Sequence, residues 1–198
     1  MNDPLMMDLD KTTGKIVAIL EKLDRPFAFT GGLAAITYGD PRTTCDVDLV
    51  MEVNPWESDF AETLADLLGD DFFFSVEGCR EGIEEQTMFQ AIDKETMFKI
   101  DFHLSDLVPG SCERRRYVKI PTGQTVPMVT QEDSILSKLV WIKLGSGRSR
   151  KDVVAMLRVQ QENLDNDYLE STAEQLGVKP ILDELRKIAN NYDPNVIF

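Results

Sequence analysis

Histidine is nearly absent from this chain, with His103 the single example in 198 residues. The three cysteines, Cys45, Cys79 and Cys112, are scattered without CxxC spacing. There is no zinc constellation to build from these residues, and the cysteines read as reduced thiols and not as a disulfide framework. No apolar run approaches the length of a membrane span, and the N-terminal MNDPLMMDLDK lacks the basic start and apolar core of a signal peptide. These absences lead us to expect a cytoplasmic protein with no membrane partner. Positive charge is also scarce: 21 Lys and Arg stand against 35 Asp and Glu, for a formal net charge of -14. Phosphate backbones are bound through Lys and Arg, so a basic nucleic-acid footprint over the whole surface is excluded. Local patches remain open at Arg114, Arg115 and Arg116, and at Lys143, Arg148, Arg150 and Lys151. No internal repeat or low-complexity tract is evident.

What is present is an ordinary globular composition, 42% hydrophobic and 28% charged, in a chain long enough for one compact unit with two lobes. Helical periodicity from about Asp10 to Leu23 ends at the Asp24-Arg25-Pro26 breaker, and Phe27 to Thr30 reads as a short strand closing on Gly31-Gly32. Leu33 to Tyr38 suits a short helix, Cys45 to Val53 a strand, and Trp56 to Leu68 an amphipathic helix. Phe72 to Val76, Thr87 to Ile92 and Met97 to Leu104 read as strands, with a further hairpin over Tyr117 to Ile120 and Gln124 to Val129. Trp56, Trp141 and the run Phe72-Phe73-Phe74 are expected in the core. A capping pattern at Thr130 and Asp133 opens a helical stretch that continues to Ile188. The expectation is an α/β (α+β) fold: a mixed sheet flanked by helices with the Cys45 strand at its heart over residues 1–130, and a helical lobe packed on it over residues 131–198.

The stretch from Thr30 to Val50 concentrates the chemistry. Asp46 and Asp48 lie two apart in an apolar, β-branched frame, so strand alternation sends both carboxylates to one face, where they repel. A hard divalent cation with oxygen ligands relieves that repulsion, and Mg2+ is the natural choice. Asp101, between Ile100 and Phe102, joins them if its strand lies beside the first. For Asp101 alone, a solvated sheet face explains the residue as well. For all three carboxylates together with a glycine pair, a metal site explains more, because converging acids are costly without compensation. A Gly-Gly pair at a strand-to-helix junction also exposes backbone N–H groups at a helix N-terminus, where phosphate can approach the main chain.

Gly31-Gly32, Arg42-x-Thr44-x-Asp46-Val47-Asp48-Leu49, and Asp101 within KIDF resemble the DNA polymerase β-type nucleotidyltransferase superfamily, and more narrowly its small bacterial AbiEii-type and stand-alone members. The resemblance covers about Phe27 to His103. It implies a mixed sheet with an appended helical lobe, Mg2+ (two ions, with Mn2+ as a substitute) bound through Asp46, Asp48 and Asp101, and an NTP bound by Thr30, Gly31 and Gly32. Leu33 departs from the pattern, since many relatives carry Ser or Thr within or just after the glycine pair. A second match, Glu132 to Leu139 followed by Arg148-Ser149-Arg150-Lys151-Asp152, implies that Lys138 neutralises phosphate and that Asp152 holds Lys138 or an arginine in place. On residues alone, Lys138 reads equally as a solvated helix lysine. Arg42 reads either as a phosphate contact or as a cap on the acidic cluster. His103 shares the face of Asp101 and is expected to be structural.

The function expected is transfer of a nucleoside monophosphate from an NTP to a hydroxyl acceptor: tRNA, a protein, or a small molecule such as an aminoglycoside. The competing expectation is a catalytically silent nucleotide- or partner-binding module of the same fold, such as one component of a toxin–antitoxin pair. Antitoxin binding and self-association both stay open as partner readings.

Overall fold

The computed structural model describes residues 4–57, 59–104 and 107–192. Among these the elements run α1 (Pro4–Leu20), β1 (Phe27–Phe29), α2 (Gly31–Tyr38), β2 (Asp46–Met51), α3 (Phe60–Leu68), β3 (Phe72–Phe74), α4 (Val76–Glu85), β4 (Met88–Asp93), β5 (Lys99–His103), β6 (Arg116–Lys119) and β7 (Thr125–Met128). Helices alone follow: α5 (Gln131–Lys143), α6 (Ser149–Val159), α7 (Asn166–Gln175) and α8 (Lys179–Asn190). The seven strands form one mixed sheet in the order β3-β4-β5-β2-β1-β7-β6, which puts β2 at its centre. β2 pairs parallel with β5 and antiparallel with β1, and β1 pairs parallel with β7.

Strand alternation gives the two faces different jobs. Val47, Leu49, Phe89, Ile100 and Phe102 point to one face and are buried there, with the Phe89 and Phe102 rings stacked at 4.7 Å. Burial of each such side chain contributes about 1.5–3 kcal/mol, so this face anchors the pairing register. Phe60 of α3 reaches the Phe89 ring at 6.3 Å. The opposite face carries Asp46, Asp48, Asp101 and His103 and is covered in part by α5. Buried residues of the helical lobe, among them Leu136, Leu139, Met156 and Leu182, belong to one cluster with Phe29 and Leu33. No helix among the described residues is long and apolar enough to cross a membrane.

Several expectations need correction. The first helix begins at Pro4, well before Asp10, and closes with a 3-10 turn over Glu21–Leu23 that ends at Asp24 in the left-handed region (φ 48°). Trp56 is 87% exposed and Trp141 43% exposed, so neither belongs to the core; the helix expected from Trp56 starts at Phe60, leaving Trp56 in a turn. Phe72 is buried whereas Phe73 is exposed, as alternation on the edge strand β3 requires. The strand expected to run to Val76 ends at Phe74, and α4 takes Val76 as its first residue. Ser75 caps this helix, its Oγ accepting from the Gly78 N–H at 3.0 Å, and Cys79, Gly82 and Ile83 form its buried face. Of the arginine cluster left open as a basic patch, Arg114 is engaged within the protein: it makes a two-point bond to Asp133 at 2.9 and 3.1 Å and stacks over Tyr168. The three cysteines are free thiols. Residues 193–198, expected within the helical lobe, lie outside the described residues.

α1 is tied to the sheet by a buried carboxylate. Asp93 of β4 accepts from Lys15 Nζ at 2.9 and 3.1 Å, from Thr12 Oγ1 at 3.0 Å and from the Glu95 N–H at 2.9 Å. Burial raises the pKa of this carboxyl, but these donors outweigh it and hold the group below its ordinary range. A folded-state pKa below the unfolded value of about 3.9 gives stability that is complete above that pH and is lost as pH falls through the folded value. Asp93→Asn is therefore expected to lower unfolding free energy by about 2 kcal/mol at neutral pH. Denaturant titrations should show the gap to the parent protein closing below about pH 4.

Candidate active site

The parallel register of β2 and β5 sets Asp48 beside Asp101 and Asp46 beside Lys99. In-register residues on parallel neighbours project to the same side, so the three carboxylates share one face as expected, with an ammonium group among them. Each carboxylate has its own donors. Thr44 Oγ1 donates to Asp46 Oδ1 at 3.1 Å. Asp48 Oδ2 accepts from the Gly32 N–H at 3.2 Å, and Asp48 Oδ1 lies 3.4 Å from His103 Nε2. Asp101 Oδ1 accepts from Gln90 Nε2 at 2.9 Å and Oδ2 from Lys99 Nζ at 2.5 Å. Burial pushes the Asp48 carboxyl up, yet the His103 and Gly32 hydrogen bonds bring it below its ordinary range, so it is ionised at neutral pH.

The glycine pair exists to let Asp48 dock at the start of α2. Gly31 has φ +58°, and a Cβ there would lie 1.9 Å from Asp48 Oδ2. A Cβ on Gly32 would lie 2.3 Å from Thr44 Oγ1. The Thr30 N–H donates to the Asp48 carbonyl at 3.0 Å, which ties the N-terminus of α2 to β2. Leu33 is fully buried and points into the core, so its departure from the expected hydroxyl does not alter the lining of the site. A hydroxyl does pack against Gly32, supplied from across the turn by Thr44.

A second cluster links three parts of the chain. Asp152 of α6 accepts two bonds from Arg42, at 2.9 and 3.0 Å, and one from Lys138 Nζ of α5 at 2.8 Å. Asp152 is largely buried, which raises its pKa, but Arg42 and Lys138 more than compensate and hold it below the usual carboxylate range. The reading of Lys138 as a solvated helix lysine is set aside by this pairing, because Lys138 is 8% exposed.

These residues border two cavities. The larger, about 830 Å³, is lined by Gly31, Gly32, Asp46 and Asp48 on the sheet side and by Arg42, Lys138, Arg148 and Lys151 on the other. Four cations therefore face three carboxylates, the third being Asp152, in a chain whose net charge is -14. The smaller, about 230 Å³, lies under α5 between Val50, Met88, Val129 and Trp141, and Thr30 lines it with Asp48. Gln90 and Lys99 at Asp101 were not singled out from sequence, although Lys99 stands two residues before Asp101 and alternation puts both on one face. Arg148 and Lys151 were legible as a basic cluster without a position. Tyr38 does not face the site: it is buried, and its hydroxyl donates to the Val129 carbonyl at 2.9 Å.

Among the described residues, no group of three or more His, Cys, Asp or Glu stands ready as a metal cage. Carboxylate oxygens are the donors a hard cation takes. Asp46 and Asp48 offer oxygens at the edge of an open chamber, and Asp101 adds a third carboxylate in register, held at present by Lys99 and Gln90.

An antigenic nucleotidyltransferase-like protein from Paracoccidioides brasiliensis shares this fold, at 20% identity over 89% of this chain and 91% of that one, with a TM-score of 0.51. Structures of JHP933 from Helicobacter pylori (14% identity, 96% and 97% covered, TM-score 0.46) and of ANT(2")-Ia in complex with adenylyl-2"-tobramycin (16%, 91% and 96%, TM-score 0.47) are also similar. No curated protein matches the chain in sequence. The fold is thus that of a nucleotidyltransferase-like protein. The family model described as nucleotidyl transferase AbiEii toxin, type IV toxin–antitoxin system, matches residues 16–190, and the chain belongs to that family.

Gly31→Ala should be the most damaging of conservative changes in this region. Its Cβ meets the Asp48 carboxylate and its φ is left-handed, so a destabilisation of about 1–3 kcal/mol is expected in thermal or denaturant unfolding. Gly69→Ala, also at positive φ but with open space around it, should cost less.

Proposed function

We propose that this chain is a divalent-cation-dependent nucleotidyltransferase that moves a nucleoside monophosphate from an NTP to a hydroxyl acceptor and releases pyrophosphate. The observation that carries this reading is the register that sets Asp101 beside Asp48 on neighbouring strands, with Asp46 and Asp48 lining a basic chamber. In the reaction an acceptor oxygen attacks the α-phosphorus, the bond to the bridging oxygen of pyrophosphate breaks in line with it, and the acceptor's hydroxyl proton passes to water. Mg2+, or Mn2+ in its place, would be held by Asp46 and Asp48 with Asp101 completing the ligand set, and supplies charge neutralisation on the phosphates and a more acidic acceptor hydroxyl.

The chain's own residues supply the rest. Arg42, Lys138, Arg148 and Lys151 give the departing phosphates a positive wall, and Asp152 holds the first two of these in fixed positions. The start of α2 adds backbone dipoles directed at the same chamber. Gly31 and Gly32 shape its floor by bringing Asp48 against the helix, and Thr30 ties that helix start to β2. For the acceptor, the acidic surface favours a protein or a cationic small molecule over nucleic acid; a tRNA would have to engage the local basic residues. Membership of a toxin–antitoxin family makes an antitoxin the partner expected for the whole chain.

The second reading, a silent binding module, is favoured by one observation: Asp101, Arg42 and Lys138 are all engaged by groups of the protein itself. Incubation with α-labelled ATP, CTP, GTP and UTP in Mg2+ or Mn2+, with tRNA, total protein and aminoglycosides as acceptors, separates the two. Label transfer is expected with at least one NTP, and Asp46→Asn and Asp48→Asn should each lower it by about 100-fold or more. Metal-dependent NTP binding by calorimetry without transfer would favour the silent module. Absence of both binding and transfer would overturn the nucleotidyl-transfer reading.

A further inference from the structure

Lys99 occupies an unusual place for a cation. It stands in register with Asp46, on the same face as the three carboxylates, and its Nζ contacts Asp101 Oδ2 at 2.5 Å. Gln90 Nε2 takes Asp101 Oδ1 at 2.9 Å, so both oxygens of this carboxylate are engaged by the protein. The Asp101 side chain is 10% exposed and the Lys99 side chain 39%, so the lysine reaches in from the rim while the carboxylate is fixed. Asp46 and Asp48 differ. Their donors are a hydroxyl, a backbone N–H and an imidazole, and both carboxylates border the large chamber.

We propose that Lys99 is a built-in counter-ion that holds Asp101 in reserve, so that the nucleotide-free protein binds one divalent ion, on Asp46 and Asp48, and a second only when Lys99 leaves Asp101. The inference rests on the metal reading of the site given above and goes beyond it by making the two ion positions unequal. An ammonium group in contact with a carboxylate oxygen and a divalent cation on the same carboxylate repel each other, and the ammonium already neutralises the charge that would attract the ion. Lys99 has somewhere to go, since its side chain is 39% exposed and its ammonium group can turn to solvent when an ion takes Asp101. The site is then closed to its full metal complement until substrate is present.

The test counts ions on the full chain without nucleotide. Mn2+ binding, followed by electron paramagnetic resonance of the free ion, is expected to give one tight site per chain in the parent protein and two in Lys99→Met, the second tightened at least tenfold. Lys99→Arg keeps the charge and should stay at one, and Lys99→Met combined with Asp101→Asn should return to one. Two equal sites in the parent protein, or a single site in a folded Lys99→Met variant, would overturn the proposal. Asp48→Asn controls the premise. If it binds Mn2+ as the parent does, the metal reading itself fails; if it loses the tight site while Lys99→Met stays at one, the role of Lys99 alone fails.

Discussion

The parallel pairing of β2 with β5 is the constraint on which this molecule turns. It brings Asp48 and Asp101 side by side, an arrangement that like charges resist, and something else must hold it. That something is the other face of the same strands, where Val47, Leu49, Ile100 and Phe102 are fully buried. A slip of one residue would exchange the faces, sending carboxylates into the core and phenylalanine into the chamber. The apolar core and the acidic site are therefore two sides of one register, and the stability of one enforces the geometry of the other.

Charge compensation within the site is local and specific. Asp46 relies on Thr44, Asp48 on Gly32 and His103, and Asp101 on Lys99 and Gln90. Asp152 does the same for the basic side, joining Arg42 before β2 to Lys138 on α5 and fixing α6 against both. Partly buried ion pairs of this kind add little net stability, because desolvation offsets attraction. Their effect is orientation: they decide how the helical lobe faces the sheet. A second hub works the same way at the start of α5, where Asp133 gathers Arg114, Thr130 and the Tyr168 hydroxyl.

Within an acidic chain, a chamber with four cations facing three carboxylates is electrostatically distinct from the surface around it. Such a site draws an anion through local fields and repels it elsewhere, which suits a phosphate-bearing ligand that also brings its own cation. The proposed reserve role of Lys99 extends this logic, since the arriving phosphates and ions would redistribute contacts that the free protein makes internally.

Much of this was legible in the order of residues. The alternation around Asp46 and Asp48, the Gly31-Gly32 junction, the cap at Thr130 and the change to helical periodicity after it are local signals, and local signals survive in a linear string. β2 at the heart of a mixed sheet followed from them, whereas its pairing with the strand of Asp101 stood only as a condition until the register was seen. What stayed hidden depended on contacts distant in sequence. Trp56 and Trp141 look like core residues by type, but their exposure is decided by where α3 begins and which side of α5 meets the cavities. α4 was masked because Phe72 to Val76 reads as an unbroken strand until the Ser75 cap is seen. The resemblance implied that Asp152 holds Lys138 or an arginine; that it holds both, and that the arginine is Arg42, rests on a contact across 110 residues, and the hold of Gln90 on Asp101 crosses between strands. Sequence by itself determined which residue types lie on which face of each element, because backbone periodicity is local. Tertiary structure alone decided which of those faces meet, because partner choice among so many carboxylates and cations is set by the packing of the core behind them.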